Sequence, residues 1–400
     1  MIRHLLKLVW KRKRSNALIM IEIFFSFLVV FAVGTFTASM VLRWRKPLGF
    51  DYRNVWVAKV TVPQNATAEK VNASTEAMMH EARSMPQVES VGASMMPTYG
   101  TGSWTSGIDA GSRKIDVARD TVSDDFATVM RMPVLRGRWF SPDDDAANVS
   151  PMVIDADAAR ALFGSIDGVV GRIVQSGPES HFRVVGIVAP YRKDGEFSSE
   201  HINMVFGRYS TNPSPVHGSR SLSNEDLVLR IRTGTPAEFE ETLIKRLHQV
   251  APDFPVRIAH MEQMRKFMNR IYLLPAIILG ILAAFLIGMV TLGLSGVLWQ
   301  TITRRTREIG LRRALGATGR EVQRQILGEV ALLATLASIL GVVIVAQLPA
   351  IGAFSILTPA SFTIGLIAAL CTIYAITLLC GLYPSWLAGR VQPAEALHYE

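Results

Sequence analysis

Three long stretches of the chain carry almost no charge. Residues 15–42 include Glu22 as their one charged side chain, and residues 271–303 and 330–389 contain no Asp, Glu, Lys, Arg or His. About 20 apolar residues suffice to cross a bilayer core of about 30 Å. The first stretch therefore predicts one membrane helix over about 17–42, after a basic segment at 1–16, and the second predicts another over about 271–299. The third stretch is too long for a single crossing. Between Gln347 and Ser361 it reads QLPAIGAFSILTPAS, with two prolines and a glycine, which predicts a short return loop at 350–360. Two further spans follow, 330–349 and 361–383, the last ended by Pro384 and followed by a tail at 384–400.

The segment 43–270 alternates in a different way. Val55–Val62 is rich in β-formers, Ala66–Met85 has helical spacing, and Val88–Met95 reads as a strand. Near its far end Asp226–Ile231 is a strand, Pro236–Val250 a helix with Thr235 as its candidate cap, and Phe254–Ile258 a closing strand. A β-α-β unit near each end thus brackets a central insertion over about 97–222, and two such units can pair in one sheet as in ferredoxin-like folds. The insertion reads as mainly β: Lys114–Ala118, Met152–Ile154, Arg172–Gln175 and Phe182–Val188, with one helix at Ala156–Phe163 stopped by Gly164. The fold class predicted is a membrane protein of four transmembrane α-helices with a large extracytoplasmic α+β domain.

Composition agrees and excludes other classes. Apolar residues make up 49% of the 400, charged residues 19%, and mean hydropathy is +0.26. A soluble enzyme, a secreted disulfide scaffold and a disordered chain do not have this profile. Charge also predicts orientation. Arg3, Lys7, Lys11, Arg12, Lys13 and Arg14 precede the first span with no acid among them. Arg304, Arg305, Arg307, Arg312, Arg313, Arg320 and Arg324 lie between the second and third spans. Both segments should face the cytosol, which places both termini inside and 43–270 outside. That outer segment holds 28 Lys and Arg against 27 Asp and Glu, so nearly all of the net charge of +9 belongs to the cytosolic parts and faces lipid headgroups. No basic folded surface remains for nucleic acid. The first apolar run is longer than a signal-peptide core and is read as an uncleaved anchor. Cys371 and Cys380, nine residues apart, point to opposite faces of one helix, so no disulfide joins them.

No phosphate loop, HExxH, CxxC or GxSxG occurs, and the eight histidines show no metal spacing. Catalytic, cofactor and metal residues are accordingly not expected. The informative stretch is Thr303–Glu329, TRRTREIGLRRALGATGREVQRQILGE. Glu308 and Arg312 form a favourable i,i+4 pair. Ile309, Leu311 and Leu315 are apolar among arginines, and Gly316-Ala317-Thr318-Gly319 breaks the helix before a new one begins. Positive-inside anchoring accounts for the arginines. It does not require Glu308, the apolar residues or the glycine elbow, whereas a docking surface for a cytosolic partner does.

REIGLRRALGAT, at Arg307–Thr318, resembles the signature of FtsX-like and MacB-like ABC transporter permeases. Other pieces are similar to the same family: VSDDFATVMRMPVLRGRWFSPDD (Val122–Asp144), PMVIDADAARALFG (Pro151–Gly164), FRVVGIV (Phe182–Val188) and PAEALHYE (Pro393–Glu400). His398 stands where the family commonly has Arg, and Ser385-Trp386-Leu387 replaces a stretch that is usually basic. The resemblance implies a permease in a bacterial inner membrane that hydrolyses nothing itself. A cytosolic ATPase dimer, binding ATP and Mg, would dock on Arg304, Arg305, Arg307, Glu308, Ile309, Gly310, Leu311, Arg312, Arg313, Leu315 and Gly316. It further implies a dimer with a second copy or a related permease, and allows a periplasmic adaptor or outer-membrane channel. Two other readings stay open: a regulator of the same fold that activates a cell-wall hydrolase, and a membrane-anchored sensor. Glu22, inside the first span, is either held by neighbouring groups or serves gating. Gly280, Gly288, Gly293 and Gly296 in the second span either pack against another helix or reflect ordinary span composition.

Overall fold

The computed structural model describes residues 13–100, 102, 104–111, 113–177, 180–198, 203–209, 226–304, 311, 314–352 and 358–388. In chain order the elements are α1 (Lys13–Trp44), β1 (Val55–Val60), α2 (Ala68–Ser84), β2 (Val88–Ser94), β3 (Thr105–Asp109), β4 (Lys114–Val122), α3 (Phe126–Met130), β5 (Val134–Gly137), β6 (Ser150–Asp155), α4 (Ala156–Phe163), β7 (Ile173–Gln175), β8 (His181–Val188), β9 (Asn203–Arg208), β10 (Asp226–Ile231), α5 (Phe239–Val250), β11 (Val256–His260), α6 (Met261–Arg304), α7 (Gly319–Val345) and α8 (Pro359–Ala388). They divide into two compact units: Arg45–Tyr272, and the flanking chain up to Trp44 and from Leu273 onward.

In the first unit, β11, β1, β10 and β2 lie side by side, each pair antiparallel. The strands of the two bracketing β-α-β units therefore share one sheet. Side chains alternate across β1. Trp56, Ala58 and Val60 enter a core with Met78 of α2 and Leu243 and Leu247 of α5, while Val55 and Val57 enter a second core with Phe126, Val129, Phe206 and Met261. Burial on both faces explains why β1, VWVAKV, reads as a nearly unbroken apolar run. The insertion closes on itself, since β4, β3, β7, β8, β6 and β9 pair in succession and β9 returns to β4 in parallel. This six-stranded barrel is filled by Ile108, Val117, Met152, Ile154, Leu162 and Val205 among others. Its link to the four-stranded sheet is narrow, the pairing of Ser94 with Val122.

Helix caps follow the local sequence. Thr67 Oγ1 accepts from Lys70 N at 3.3 Å at the start of α2, and Asp155 Oδ1 accepts from Ala158 N at 2.7 Å at the start of α4. Thr235 does not cap α5 as its sequence position suggests. Its hydroxyl donates instead to Arg232 O at 2.8 Å within a turn, and α5 begins at Phe239.

Four helices, α1, α6, α7 and α8, are long and apolar enough to cross a membrane. Several bounds depart from the sequence reading. α6 starts at Met261, ten residues before the charge-free stretch, because its first turns are amphipathic and Met261 and Met268 bury in the outer core. α8 passes Pro384 and ends at Ala388; a proline is tolerated in membrane helices, where neighbouring groups can satisfy the freed carbonyl. Within the second unit α1 contacts its neighbours at glycines. A Cβ on Gly341 of α7 would collide with the Phe27 ring, and one on Gly365 of α8 would collide with Thr35.

Candidate functional site

The predicted docking segment lies between α6 and α7. α6 ends at Arg304. Arg305, Arg307, Glu308, Ile309, Gly310, Arg312 and Arg313 lie outside the described residues. Leu311 and Leu315 are described, and Leu315 N donates to Leu311 O at 3.1 Å, one helical turn. Both side chains face out, 54% and 81% exposed. Two leucines four apart share a helical face, so this turn presents an apolar pair to solvent.

The end of that turn is built to be sharp. Gly316 has φ +101°, a conformation that side-chain-bearing residues rarely adopt. Two residues on, Thr318 and Glu321 form a reciprocal cap: Thr318 Oγ1 accepts from Glu321 N at 3.3 Å, and Glu321 Oε2 accepts from Thr318 N at 2.9 Å. α7 therefore starts cleanly at Gly319, ahead of the predicted third span, and the leucine pair is pinned just before a fixed helix start. Sequence reasoning found the elbow; the T-x-x-E spacing at Thr318–Glu321 was the signal for its cap.

Glu22 sits on α1 with its carboxylate against Gly293 of α6, where a Cβ would collide with Oε1. Gly293 thus makes room for an acid on a neighbouring helix. Gly280, Gly288 and Gly296 have nothing within 4 Å, so among the described residues they pack against no other helix. The same helix exposes Ile281, Phe285 and Leu292, each more than half accessible. Among the described residues, no cluster of His, Cys, Asp or Glu could hold a metal ion.

A family model described as the MacB-like periplasmic core domain matches residues 17–245, more than half of the chain. The chain belongs to this family. Residues 277–393 match a second model, the FtsX-like permease C-terminal. The protein is thus an FtsX-like, MacB-like permease of the ABC transporter type, an inner-membrane protein with an extracytoplasmic domain. Among its relatives is the macrolide export ATP-binding/permease protein MacB of Shewanella oneidensis, 23% identical over 83% of this chain and 50% of that protein. Another is the pyoverdine export ATP-binding/permease protein PvdT of Pseudomonas entomophila, 28% identical over 69% of this chain and 42% of that protein. The chain spans about half the length of the curated relatives it matches. Among solved structures, the periplasmic region of MacB from Actinobacillus actinomycetemcomitans aligns over 55% of this chain and 94% of that one, at 15% identity and a TM-score of 0.39.

Proposed function

We propose that this MacB-like permease is the membrane subunit of an ATP-driven exporter or extractor, coupling ATP hydrolysis in a partner ATPase to movement of its outer domain. The observation that carries this reading is the exposed Leu311–Leu315 pair between α6 and the capped start of α7. Apolar side chains held on a short turn among arginines suit a groove on a soluble partner, with Arg304, Arg305, Arg307, Glu308, Ile309, Gly310, Arg312, Arg313 and Gly316 completing the contact. The segment faces the cytosol in this reading, with both termini. The bracketing β-α-β units of the outer domain form a ferredoxin-like sheet, and the chain works as a dimer, with itself or a related permease. Relatives named for macrolide and pyoverdine export support a small-molecule substrate. An adaptor and an outer-membrane channel would complete such an export path, and ATP and Mg belong to the partner.

The test is Leu311→Asp. An uncompensated charge in the groove should weaken docking by roughly a hundredfold or more, while insertion stays normal because the arginines remain. Tagged protein is purified from membranes, and ATPase recovery is compared with membrane abundance. Normal abundance with normal ATPase recovery would leave the segment as a positive-inside anchor. Recovery of a cell-wall hydrolase in place of an ATPase would favour the regulator reading.

A further inference from the structure

Both chain segments that lead to the first two membrane helices rest on one loop of the outer domain. The loop, Pro190–Phe197, follows β8 of the barrel. The chain leaving α1 passes it at Leu48–Tyr52. Arg192 N donates to Leu48 O at 3.0 Å, and the Phe50 ring lies 4.9 Å from that of Tyr191. Gly49 has φ +85°, and a Cβ there would collide with the Pro190 carbonyl oxygen, so this backbone-to-backbone contact admits only glycine.

The start of α6 meets the same loop from another side. Glu196 Oε1 accepts from Arg265 Nε at 2.6 Å, and the Arg265 guanidinium lies 4.4 Å from the centre of the Tyr52 ring. One arginine therefore joins the helix to both the loop and the segment after α1. Gly195 presses on the Tyr99 ring with the Asn269 amide oxygen beside it.

The loop is also tied to the sheet and barrel behind it. Tyr191 N donates to Asp155 Oδ2 at 3.4 Å, and its hydroxyl pairs with that of Thr98. Tyr99 N donates to Lys193 O at 3.0 Å, and Lys193 Nζ donates to Gly102 O. A shift of the loop must therefore shift the ends of β2 and β6. The ion pair is largely buried, its side chains 7% and 22% exposed. Packing alone does not call for charge here, because apolar residues of similar volume hold such a place at least as well. A charged pair specifies one arrangement. Tyr99 OH, Glu196 Oε2 and Asn269 Oδ1 are buried at this junction without a protein partner, so polar contacts there can be exchanged as well as broken.

We infer that Pro190–Phe197 is the element through which displacement of the two membrane-leading segments reaches the barrel, with Glu196 and Arg265 as its positioning residues. The inference rests on the proposed permease function. The test uses the full chain with its co-purified ATPase in lipid nanodiscs, without nucleotide and with ATP and vanadate, read by amide hydrogen exchange. In the wild type, exchange in 189–197, β4 and β6 should change by roughly tenfold between the two states. Glu196→Gln and Arg265→Gln should each abolish most of that change while ATPase recovery and ATP turnover persist. The exchanged pair Glu196→Arg with Arg265→Glu should restore it, which keeps the test decisive even where a single variant folds poorly. A wild-type complex without any nucleotide-dependent change, or single variants that retain it, would overturn the inference alone. Failure of the wild-type chain to recover an ATPase would overturn the proposed function, and this inference with it.

Discussion

The outer unit and the membrane unit differ in how they satisfy buried polar groups. In the outer unit, polar groups join residues far apart in sequence. Arg230, 2% exposed, donates to the carbonyls of Val129, Arg53 and Asp51 at 2.6, 2.8 and 2.7 Å. In the membrane unit, most hydroxyls turn back on their own helix: Ser26 to Glu22 O, Thr291 to Ile287 O and Thr335 to Ala331 O, each four residues back, with Thr335 Oγ1 also 2.9 Å from Tyr374 OH of α8. Water competes for polar groups outside, and apolar burial drives the two cores there. Lipid offers neither competition nor that driving force between helices, so the helices rely on steric fit. The glycines at 341 and 365 supply the fit. The lesson is that one chain carries two stability regimes, and the same kind of substitution should register differently in each.

The largest effect is expected at Arg230. Arg230→Met keeps length and apolar stem but leaves three carbonyls, that of Val129 buried and those of Arg53 and Asp51 partly so, without this donor. A hydrogen bond to a charged group contributes about 1.5–3 kcal/mol, so losing three should cost about 3 kcal/mol or more, and denaturant unfolding of the purified full chain should show it as a large loss in the outer unit. A loss below about 1 kcal/mol would mean that these carbonyls find other donors, and the contrast between the units would weaken.

In the membrane unit the matching test is Gly365→Ala. The added Cβ would meet Thr35 backbone atoms, which cannot rotate away, and overpacking of this kind costs about 1–3 kcal/mol. Gly341→Ala meets only the Phe27 ring and should cost less. Gly280→Ala and Gly288→Ala, facing open space, should be neutral in the single chain. Thermal stability in detergent ranks the four. Measured again in nanodiscs at high protein density, a new penalty at Gly280 or Gly288 would reveal a second helix on that face.

How far the sequence could be read follows the same division. The four apolar helices were legible because lipid demands long uncharged runs, a signal that needs no tertiary context. β1 and β10 of the bracketing units were legible because both faces bury apolar side chains. β3, TSGID, was not: three of its five residues, Ser106, Gly107 and Asp109, are poor strand formers, and its pairing with β4 and β7 joins it to the barrel. β5 was missed for a related reason, since all four of its residues are exposed and carry no alternation. Arg230 reads as a surface residue, and only the approach of three carbonyls from distant turns makes it a core one. Within the proposed docking segment, the elbow at Gly316 and the cap at Thr318 could be read from residue type. The loop Pro190–Phe197 could not, because its partners at Leu48, Tyr99 and Arg265 are remote in sequence.

The smallest effect sharpens the comparison from within the outer unit. Asp120 is 2% exposed; its carboxylate accepts from Ser94 Oγ at 2.7 Å and Met96 N at 2.9 Å. Burial pushes its pKa up to about 7, opposed by those two bonds, by the Lys193 ammonium and by the Thr121 amide. An unfolded chain returns the group to about 4. Between about pH 4 and 7 the folded state holds a proton that the unfolded state releases, so this group's contribution falls as pH rises through that window and is lowest above it. Lowering pH from 8 to 5 should therefore stabilise the wild type relative to Asp120→Asn by about 1 kcal/mol or more. Asn keeps an acceptor for Met96 N and removes the titration. The measurement is thermal unfolding of both full chains at the two pH values, taken as a difference so that Asp155 and Asp226, whose pKa values burial also raises, to about 6 each, cancel. Identical pH dependence in the two chains would mean that Lys193 keeps Asp120 ionised throughout. The outer unit would then hold this acid as it holds Arg230, by fixed partners alone.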